Sequence, residues 1–377
     1  MKIGIVGKPS SGKSTFFSAA TLIDVPISPR PFTTIDPNKG TTFASFDCVC
    51  KELGVKDNPK NSKCENGKRY VPITLIDVAG LVPDAHLGKG LGNRFLDDLM
   101  EAEGLIHVVD LSGKTDSFGN PCENYDPQED IEFLEREIDF WIKGILDRNW
   151  EKIQRKAKNS SLSEALYEQV AGLGMRKEKI EDIVNEGFSD TLDLARKIRK
   201  YNKPIIIAGN KIDIEEAKAN YNKLKDKVIP VSAEAELVLR KAAKLGFIKY
   251  SPGSNDFEII GKMNPAQENA LERIRENVLK PFGSTGVQKV INELVFRELK
   301  YIPVYPVENE NKMCNKDGEV LPDVFLVKQG STALDLAYKI HTEIGERFIG
   351  AIDVRTKKKL GKEYVLKEKD ILKILVR

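Results

Sequence analysis

The sequence predicts an α/β fold with a mostly parallel sheet, followed by a smaller domain that combines short strands with one helix. The first observation is a series of short, continuous apolar runs, "KIGIVG", "ITLIDV", "LIHVVDL", "PIIIAGN" and "VIPVS". Continuous apolar runs are typical of strands that are covered on both faces. The second observation is that helical stretches separate several of these runs, as βαβ units require. The chain has 377 residues, which is enough for two or three domains.

The composition excludes several classes of protein. Hydrophobic residues make up 41% of the chain and charged residues 31%, as in ordinary globular proteins, and the net charge of +2 indicates no partner. The N-terminal "MKIGIVG" lacks the pattern of a secretory signal, and no apolar run is long enough to cross a bilayer. Five scattered cysteines favour a reducing compartment over a disulfide framework. We therefore expect a cytoplasmic protein that does not act at a membrane.

About ninety residues separate "LIHVVDL", which ends at Leu111, from "PIIIAGN", which begins at Pro204, and a usual α/β connection is far shorter. Apolar residues at helical spacing occupy part of this segment. They are Ile131, Leu134, Ile138, Trp141, Ile145 and Leu146. "SLSE", from Ser161 to Glu164, has the pattern of a capping box. The segment is predicted to be an inserted helical subdomain, an αα-hairpin packed on the flank of the sheet.

The character of the sequence changes near Tyr301. From there "YIPVYPVEN", "DVFLVKQGST", "FIGAIDV" and "DILKILVR" resemble strands around one helical stretch, "ALDLAYKIHTEIG". This combination of short strands and one helix predicts a small β-grasp domain. The predicted organisation is a main α/β domain in two parts, a helical insertion and the β-grasp domain, at residues 1–111 and 204–300, 112–203, and 301–377 respectively.

The first predicted strand leads into "GKPSSGKS", which fits G-x-x-x-x-G-K-[ST], and "TFFSAATL" continues as a helix. In that context backbone N–H groups surround a β-phosphate, and the helix N-terminus adds a partial positive charge. Lys13 is expected to reach the β- and γ-phosphates, and the Ser14 hydroxyl to bind Mg²⁺. The alternative, a glycine-rich turn without a ligand, is disfavoured by this context. The predicted nucleotide-binding residues here are Gly7, Lys8, Pro9, Ser10, Ser11, Gly12, Lys13, Ser14 and Thr15.

Two further stretches suit the metal ion and the terminal phosphate. "PFTTIDPNKG", residues 31–40, offers two threonine hydroxyls in a polar loop. Asp77 ends the strand "ITLID" and is placed to hold Mg²⁺ through water, and the backbone N–H of Gly80 can approach a γ-phosphate. Alone each signal is weak, but their order along the chain strengthens both.

"GNKID", residues 209–213, follows the strand "PIIIA" and predicts base recognition. The Asp213 carboxylate can accept two hydrogen bonds from N1–H and N2–H₂ of guanine, and such a bidentate contact discriminates by roughly 1–3 kcal/mol. Lys211 is expected to lie along the base, and Asn210 to tie loops together. In "SAE", Ser232, Ala233 and Glu234 are expected to offer a backbone N–H to guanine O6. Together these residues predict a preference for guanine over adenine.

With these motifs the sequence resembles the Obg-related GTPases, in particular the YchF or Obg-like branch and its archaeal relatives. The resemblance lies in "GKPSSGKST", "PFTTIDPNKG", "DVAGLVPDAHLGKGLGNRFLDDL", "GNKID", "SAE" and "GSTALDLAYKIH", which span nearly the whole chain. It implies a P-loop GTPase domain with a helical insertion and a C-terminal TGS domain of β-grasp type. It also implies Mg²⁺ as cofactor, a role on the ribosome or RNA in translation, and Thr34 as the metal ligand in preference to Thr33.

Leu81 follows Gly80 at the position where Ras-like GTPases carry the glutamine that orients water. The resemblance implies a hydrophobic residue here, so we expect slow hydrolysis, with His86 in the adjacent loop as the candidate acid–base residue. Relatives that accept ATP often end "NKID" in glutamate, so Asp213 favours GTP. Potassium-activated relatives have asparagine where this chain has Ser10, so potassium dependence stays open.

Two alternatives to a GTP-hydrolysing switch remain. One is a P-loop enzyme that transfers a phosphoryl group to a small-molecule acceptor, although the sequence shows no cluster of arginines near the motifs. The other is a largely non-hydrolysing GTP-binding module, which only Leu81 favours. We expect a monomer whose partners are GTP and the ribosome or RNA, and not DNA. The basic "RTKKKLGK", residues 355–362, is either a solvated loop or a loop that faces RNA.

Cys48, Cys50 and Cys64 flank the polar stretch "KELGVKDNPKNSK". A structural zinc site needs four ligands, so three cysteines are one short. Asp57 or a distant group could complete the set. Free cysteines are favoured over zinc at this stage.

Overall fold

The computed structural model describes residues 1–21, 39–78, 99 and 101–377. These residues form two compact units. The first contains residues 1–21, 39–40, 74–78, 99 and 101–290, and the second contains residues 41–73 and 291–377. The second unit therefore combines the C-terminal region with a segment from the first fifth of the chain. The predicted boundaries at 111, 203 and 300 stay predictions.

The strands in chain order are β1 Lys2–Val6, β2 Lys39–Asp47, β3 Lys63–Glu65, β4 Lys68–Asp77, β5 Gly104–Asp110, β6 Ile205–Asn210, β7 Val228–Pro230, β8 Ile248–Lys249, β9 Glu258–Ile259, β10 Tyr301–Val307, β11 Phe325–Lys328, β12 Phe348–Asp353, β13 Lys359–Leu360 and β14 Ile371–Val376. The helices are α1 Lys13–Thr21, α2 Val49–Leu53, α3 Pro127–Ala157, α4 Leu162–Val170, α5 Lys177–Glu186, α6 Thr191–Asn202, α7 Glu215–Leu224, α8 Ala233–Lys244, α9 Pro265–Ile274, α10 Lys280–Phe282, α11 Val287–Asn292, α12 Ala333–Ile340 and α13 Thr342–Glu346.

The large sheet has the strand order β2-β4-β1-β5-β6-β7, with β3 paired to β4. The five strands from β4 to β7 in this order are parallel, as the continuous apolar runs predict. Their register brings Ile5 beside Asp77 and Asp110 beside Asn210, so the carboxyl ends of β4, β5 and β6 lie at one edge of the sheet. In α/β proteins ligands bind at this edge.

The sequence did not predict β2 or β3. Small polar residues interrupt the apolar pattern of β2, since Thr42 and Ser45 are buried alongside Phe43 and Ala44. The pattern therefore lacks the continuous or alternating hydrophobicity by which strands are recognised. β3 has only three residues and carries no pattern of its own.

The predicted insertion is helical, but it is not an αα-hairpin. It contains four helices, α3 to α6, whose apolar faces share one core with the β1, β4 and β5 residues Val6, Ile76 and Leu105. The hairpin prediction was wrong because α4 and α5 are short and each buries only a few apolar side chains. Ser161 caps α4 as expected, because its Oγ accepts a hydrogen bond from the Glu164 N–H at 3.1 Å.

The second unit contains a five-stranded sheet of order β11-β10-β14-β12-β13. β10 and β14 are parallel, the other pairs are antiparallel, and α12 packs through Leu336 against Val304 and Leu372 of the sheet. This arrangement confirms the predicted β-grasp domain. Across the described ranges, no helix is both long enough and apolar enough to span a membrane.

Candidate nucleotide-binding site

Residues 7–12 join β1 to α1 in a tight loop at the carboxyl edge of the sheet. Ser10 and Gly12 have positive φ angles of 63° and 90°. A Cβ at Gly7 would lie 2.5 Å from the carbonyl oxygen of Val108, and a Cβ at Gly12 would lie 2.2 Å from Nδ2 of Asn210. Both positions therefore require glycine, because any side chain would overlap with neighbouring atoms.

This loop and the first turn of α1 border an open cleft of about 530 Å³. The lining residues are Gly7, Lys8, Pro9, Ser10, Gly12, Lys13, Ser14, Thr15 and Lys211. Ser14 is exposed at the start of the helix, where unpaired N–H groups and the helix dipole favour an anion. Ser11, which the motif also predicts as a binding residue, is fully buried and does not line the cleft.

Lys13 and Asp77 meet at the carboxyl end of β4. The Lys13 ammonium lies 2.8 Å from Oδ1 of Asp77 and donates a second hydrogen bond of 2.8 Å to the carbonyl of Val78. The predicted phosphate-binding cation and the predicted metal-binding carboxylate are thus adjacent, although they are 64 residues apart in the sequence. Thr34, Gly80, Leu81 and His86 lie outside the described residues, so their roles stay predictions.

Asn210 connects two loops across the site. Its Nδ2 donates to the carbonyl of Ser11 at 3.0 Å, and its Oδ1 accepts from the N–H of Ala233 at 3.1 Å. The side chain is buried, so both hydrogen bonds are shielded from water. The phosphate loop and the "SAE" turn are therefore held at a fixed separation by one amide.

Lys211 and Asp213 follow β6 on the turn that borders the cleft. Lys211 has a positive φ of 67° and its ammonium lies 2.7 Å from Oδ2 of Asp110. Asp213 is exposed, and no hydrogen bond or ion pair engages its carboxylate within the part of the chain that the structure describes. The carboxylate is thus available to a ligand.

The "SAE" turn begins α8. Ser232 is the N-cap, and its Oγ accepts from the N–H of Ala235 at 3.2 Å. Two of the three backbone N–H groups predicted for guanine O6 already have acceptors, because Ser232 donates to Thr285 at 2.9 Å and Ala233 donates to Asn210. The N–H of Glu234 has no acceptor among the described residues, which makes it the donor best placed for a ligand.

Asp110 organises a network that the sequence did not reveal. Its carboxylate accepts hydrogen bonds from Ser112 N at 2.9 Å, Ser112 Oγ at 2.6 Å and Thr115 Oγ1 at 2.9 Å, in addition to the ion pair with Lys211. Burial favours the neutral acid, but the bonds from Lys211 and Ser112 outweigh it and lower the pKa of Asp110. Asp110 is therefore a buried carboxylate that positions Lys211.

Lys8 was predicted to bind nucleotide, but its ammonium is engaged elsewhere. It lies 2.8 Å from Oδ2 of Asp130, donates to the carbonyl of Thr115 at 2.7 Å, and lies 4.1 Å from the centroid of the Tyr125 ring. Lys8 and Asp130 are both buried. The Lys8 side chain therefore anchors the phosphate loop to the first turn of α3, and its backbone remains the part that borders the cleft. No local signal identifies this pair, because its members are more than a hundred residues apart.

The three cysteines singled out in the sequence lie together in the second unit. The Sγ atoms of Cys48, Cys50 and Cys64 and a carboxylate oxygen of Asp57 all lie within 4.8 Å of one another. None of the three thiols forms a disulfide. Of the two possibilities for a fourth member, Asp57 or a distant group, the structure favours Asp57.

Three family profiles match the chain in succession. Residues 2–146 match a profile described as 50S ribosome-binding GTPase, residues 208–309 match one described as Obg-like GTPase YGR210-like, G4 motif-containing domain, and residues 313–376 match the TGS domain. These matches confirm the predicted P-loop GTPase domain and C-terminal TGS-type β-grasp domain.

Two of the relatives below extend over nearly the whole chain, and the third over about half of it. An uncharacterized GTP-binding protein of Methanocaldococcus jannaschii, MJ1332, is 51% identical over 389 residues, covering 99% of this chain and 98% of that protein. The crystal structure of a GTP binding protein from Pyrococcus horikoshii OT3 is 44% identical, with a TM-score of 0.79 and complete coverage of both chains. The ribosome-binding ATPase YchF of Escherichia coli O157:H7 is 32% identical over 196 residues, 52% of this chain and 50% of that protein.

Proposed function

Because the chain belongs to the Obg-related GTPases, in their YchF or Obg-like branch, we propose that it is a guanine-nucleotide switch that hydrolyses GTP slowly and acts on the ribosome or RNA in the cytoplasm. The observation that carries the proposal is the position of Asn210. This amide holds the phosphate loop against the "SAE" turn, and Asp213 follows it with an exposed, unpaired carboxylate within the described residues. This arrangement supports a phosphate cradle and a guanine-selective acceptor at one edge of the sheet.

The phosphates and the metal ion fit the same edge. Lys13 and Asp77 now neutralise each other, and an arriving triphosphate offers Lys13 oxygen acceptors in place of the carboxylate. Asp77 is then free to accept hydrogen bonds from water on Mg²⁺, and the exposed Ser14 hydroxyl is a suitable direct ligand. Mg²⁺ prefers oxygen ligands and keeps several waters. The bound ion would neutralise charge on the β- and γ-phosphate oxygens.

The choice of guanine rests on Asp213. Adenine presents neither an N1 proton nor a 2-amino group to this carboxylate, so ATP would leave it without a partner. Several relatives carry the name ATPase, and YchF of E. coli O157:H7 is one of them. The terminal aspartate of "GNKID" is the feature by which we assign this chain to GTP.

A phosphoryl-transferring enzyme fits the site less well. Among the described residues, those that line the cleft include three lysines but no arginine. An acceptor with its own anionic group would need further cations there. A regulatory role also agrees with the profile described as 50S ribosome-binding GTPase and with the name of the E. coli relative, ribosome-binding ATPase.

Calorimetric titration with GTP, GDP and ATP tests the proposal. We expect the unaltered chain to prefer GTP and GDP, and Asp213→Ala to weaken guanine-nucleotide binding by roughly tenfold to a hundredfold, the equivalent of about 1–3 kcal/mol. Asp226→Ala removes another exposed aspartate and should leave both affinities unchanged. Equal affinity of the unaltered protein for ATP and GTP would refute guanine selectivity.

A further inference from the structure

The strongest feature outside the nucleotide site is the group formed by Cys48, Cys50, Asp57 and Cys64 in the second unit. The four side chains come from different local structures. Cys48 is the N-cap of α2, Cys50 lies in its first turn, Asp57 is in the following loop, and Cys64 is in the middle of β3. Cys48 and Cys50 are buried, and Cys64 and Asp57 are partly buried. The ligand atoms of all four lie within 4.8 Å of one another.

Two distances inside this group match those of a tetrahedral metal centre. With Zn–S bonds of about 2.3 Å, two sulfurs of a tetrahedral zinc site lie about 3.8 Å apart, and a sulfur and an oxygen about 3.6 Å apart. Sγ of Cys50 lies 3.8 Å from Sγ of Cys64, and Sγ of Cys48 lies 3.4 Å from Oδ2 of Asp57. A disulfide requires a separation of about 2.05 Å between sulfurs. The geometry therefore suits four ligands around one ion better than a covalent pair.

Surrounding groups orient two of the four side chains, Asp57 and Cys48, as outer ligands do in metal sites. The fully buried Arg69 donates from Nη1 to Oδ2 of Asp57 at 2.7 Å, and from Nη2 to the carbonyl of Leu321 at 2.5 Å. The Tyr305 hydroxyl donates toward Sγ of Cys48 at 3.7 Å. Arg69 thus holds Oδ2 of Asp57, the same oxygen that lies 3.4 Å from Sγ of Cys48, in position beside the thiols.

Charge also favours a bound cation. Three thiolates and a carboxylate would carry four negative charges, and Arg69 supplies one positive charge. Crowded thiols cannot all ionise without a cation, and a divalent metal removes this conflict by displacing their protons.

From this geometry we propose that Cys48, Cys50, Cys64 and Asp57 form a structural zinc site. Three sulfurs select a thiophilic ion, and four protein ligands leave no open position for a substrate, as in structural sites. The site joins α2 and its following loop to the β3–β4 hairpin. Through Arg69 and Tyr305 it also stabilises the contact of this segment with β10 inside the second unit.

The metal content of the full chain tests the proposal directly. The protein is produced in zinc-supplemented medium, with a purification tag that lacks histidine and cysteine, and zinc is measured by inductively coupled plasma mass spectrometry. We expect about one zinc ion per chain, the content of a single four-ligand site. Cys50→Ser and Cys64→Ser should lose most of the metal. Cys122→Ser and Cys314→Ser replace cysteines outside the group and should retain it.

Cobalt substitution tests the site spectroscopically in the unaltered chain, so the result does not depend on whether a variant folds. Co²⁺ added to the metal-free, reduced chain should produce thiolate-to-cobalt charge-transfer bands and the visible bands of a tetrahedral ion. Asp57→Asn should shift the visible bands and weaken binding while the thiolate bands persist. A chain that holds no zinc and yields no thiolate–cobalt band would overturn the proposal. So would a Cys50–Cys64 disulfide in protein alkylated at lysis, or equal zinc loss in the two control variants.

Discussion

At the residue scale, the site depends on a few positions that tolerate one residue type. Gly12 shows this most clearly, because its φ of 90° and its closeness to Asn210 act together. An L side chain at that φ is strained by roughly 1–2 kcal/mol. A Cβ would in addition overlap with the amide that ties the loops, since the two atoms would be 2.2 Å apart. Strain and overlap can be separated by experiment.

Gly12→Ala should weaken GTP binding by more than about tenfold, because the alanine methyl group displaces Asn210 and opens the loop. Gly174→Ala is the matched control. Gly174 has a similar φ of 82°, but a Cβ there has no neighbour within 4 Å. The control should lower stability by roughly 1 kcal/mol and leave GTP affinity unchanged. Equal losses of affinity in the two variants would show that overlap at Asn210 is unimportant.

A second property that depends on a single residue, His107, is the change of folding stability with pH. It is buried in the middle of β5, and burial, with a smaller contribution from the charge of Lys8, lowers its pKa to about 3. The unfolded chain has the ordinary value near 6.5. The stabilisation by neutral His107 is therefore fully present above about pH 6.5 and is lost as the pH falls toward 3, by at most about 1.4 kcal/mol per pH unit.

Denaturant unfolding between pH 7 and pH 4 measures this effect. His107→Leu should flatten the loss of stability in that range, because the variant has no buried imidazole to protonate. His341→Gln, which replaces an exposed histidine, should leave the slope as it is in the unaltered chain. Identical slopes in all three proteins would contradict the assignment to His107.

At the scale of elements, α3 is both a packing helix and a support for the phosphate loop. Asp126 caps it by accepting from the N–H of Gln128, and Pro127 occupies its first position. Asp130, in its first turn, is favoured by the helix dipole and pairs with Lys8. The helical insertion thereby contributes a charged group to the loop between β1 and α1.

Removing one member of the pair between Lys8 and Asp130 should destabilise the folded protein. Asp130→Asn leaves the Lys8 ammonium buried without its anion, and we expect it to lower the free energy of unfolding by about 3–5 kcal/mol. Replacing both members, as in Lys8→Met with Asp130→Leu, should recover much of the loss, because the uncompensated charge is gone. Lys177→Met removes one member of the exposed pair with Glu164 and should change stability by less than about 1 kcal/mol.

Urea denaturation of these variants provides the measurement. The double variant should remain folded but bind GTP more weakly, since the phosphate loop loses its ionic anchor. A single variant Asp130→Asn that is as stable as the unaltered chain would show that the pair contributes nothing.

At the scale of the whole molecule, the second unit is built from two distant parts of the sequence. Residues 41–73 fold with residues 291–377, and the buried Arg69 contacts the carbonyl of Leu321 and the ring of Tyr305. Ser45 is bound to Asn292 in the same unit, at 2.9 Å from its N–H to Oδ1. The packing of the C-terminal β-grasp domain therefore extends beyond its predicted boundary near Tyr301, to residues earlier in the chain.

A chain that ends at Lys300 should consequently be destabilised. The truncation removes Tyr305 and the carbonyl acceptor of Arg69, which leaves a buried guanidinium without one of its partners. We expect a lower midpoint of thermal unfolding and a tendency to aggregate, measured by circular dichroism and light scattering. A truncated chain that unfolds at the same temperature as the full chain would contradict this expectation.

The basic segment 355–362 belongs to the same unit, and part of its charge is already used. Arg355 pairs with Glu52 at 3.0 Å, and Lys357 donates to the carbonyl of Glu310 at 2.6 Å. Lys359 lies in the short strand β13. The alternatives of a solvated loop and an RNA-facing loop stay open, but two of its cations now have partners within the unit.

Local sequence patterns predict the parallel sheet, the phosphate loop and the β-grasp domain, and they also indicate a guanine motif. Each of these depends on local patterns, such as an apolar run, a glycine spacing or the order of short motifs, which one stretch of chain carries alone. The same reasoning did not predict β2 or α5, because their few apolar residues form no recognisable pattern and only the packing shows their role.

Only the tertiary structure decided which distant side chains meet. It pairs Lys8 with Asp130 and Lys211 with Asp110, and it favours Asp57 over a distant group as the neighbour of the three cysteines. It also showed that two of the three N–H groups of "SAE" are engaged within the protein. Contacts of this kind depend on burial and on distances that the whole fold sets. Neither quantity can be inferred from the spacing of residues along the chain.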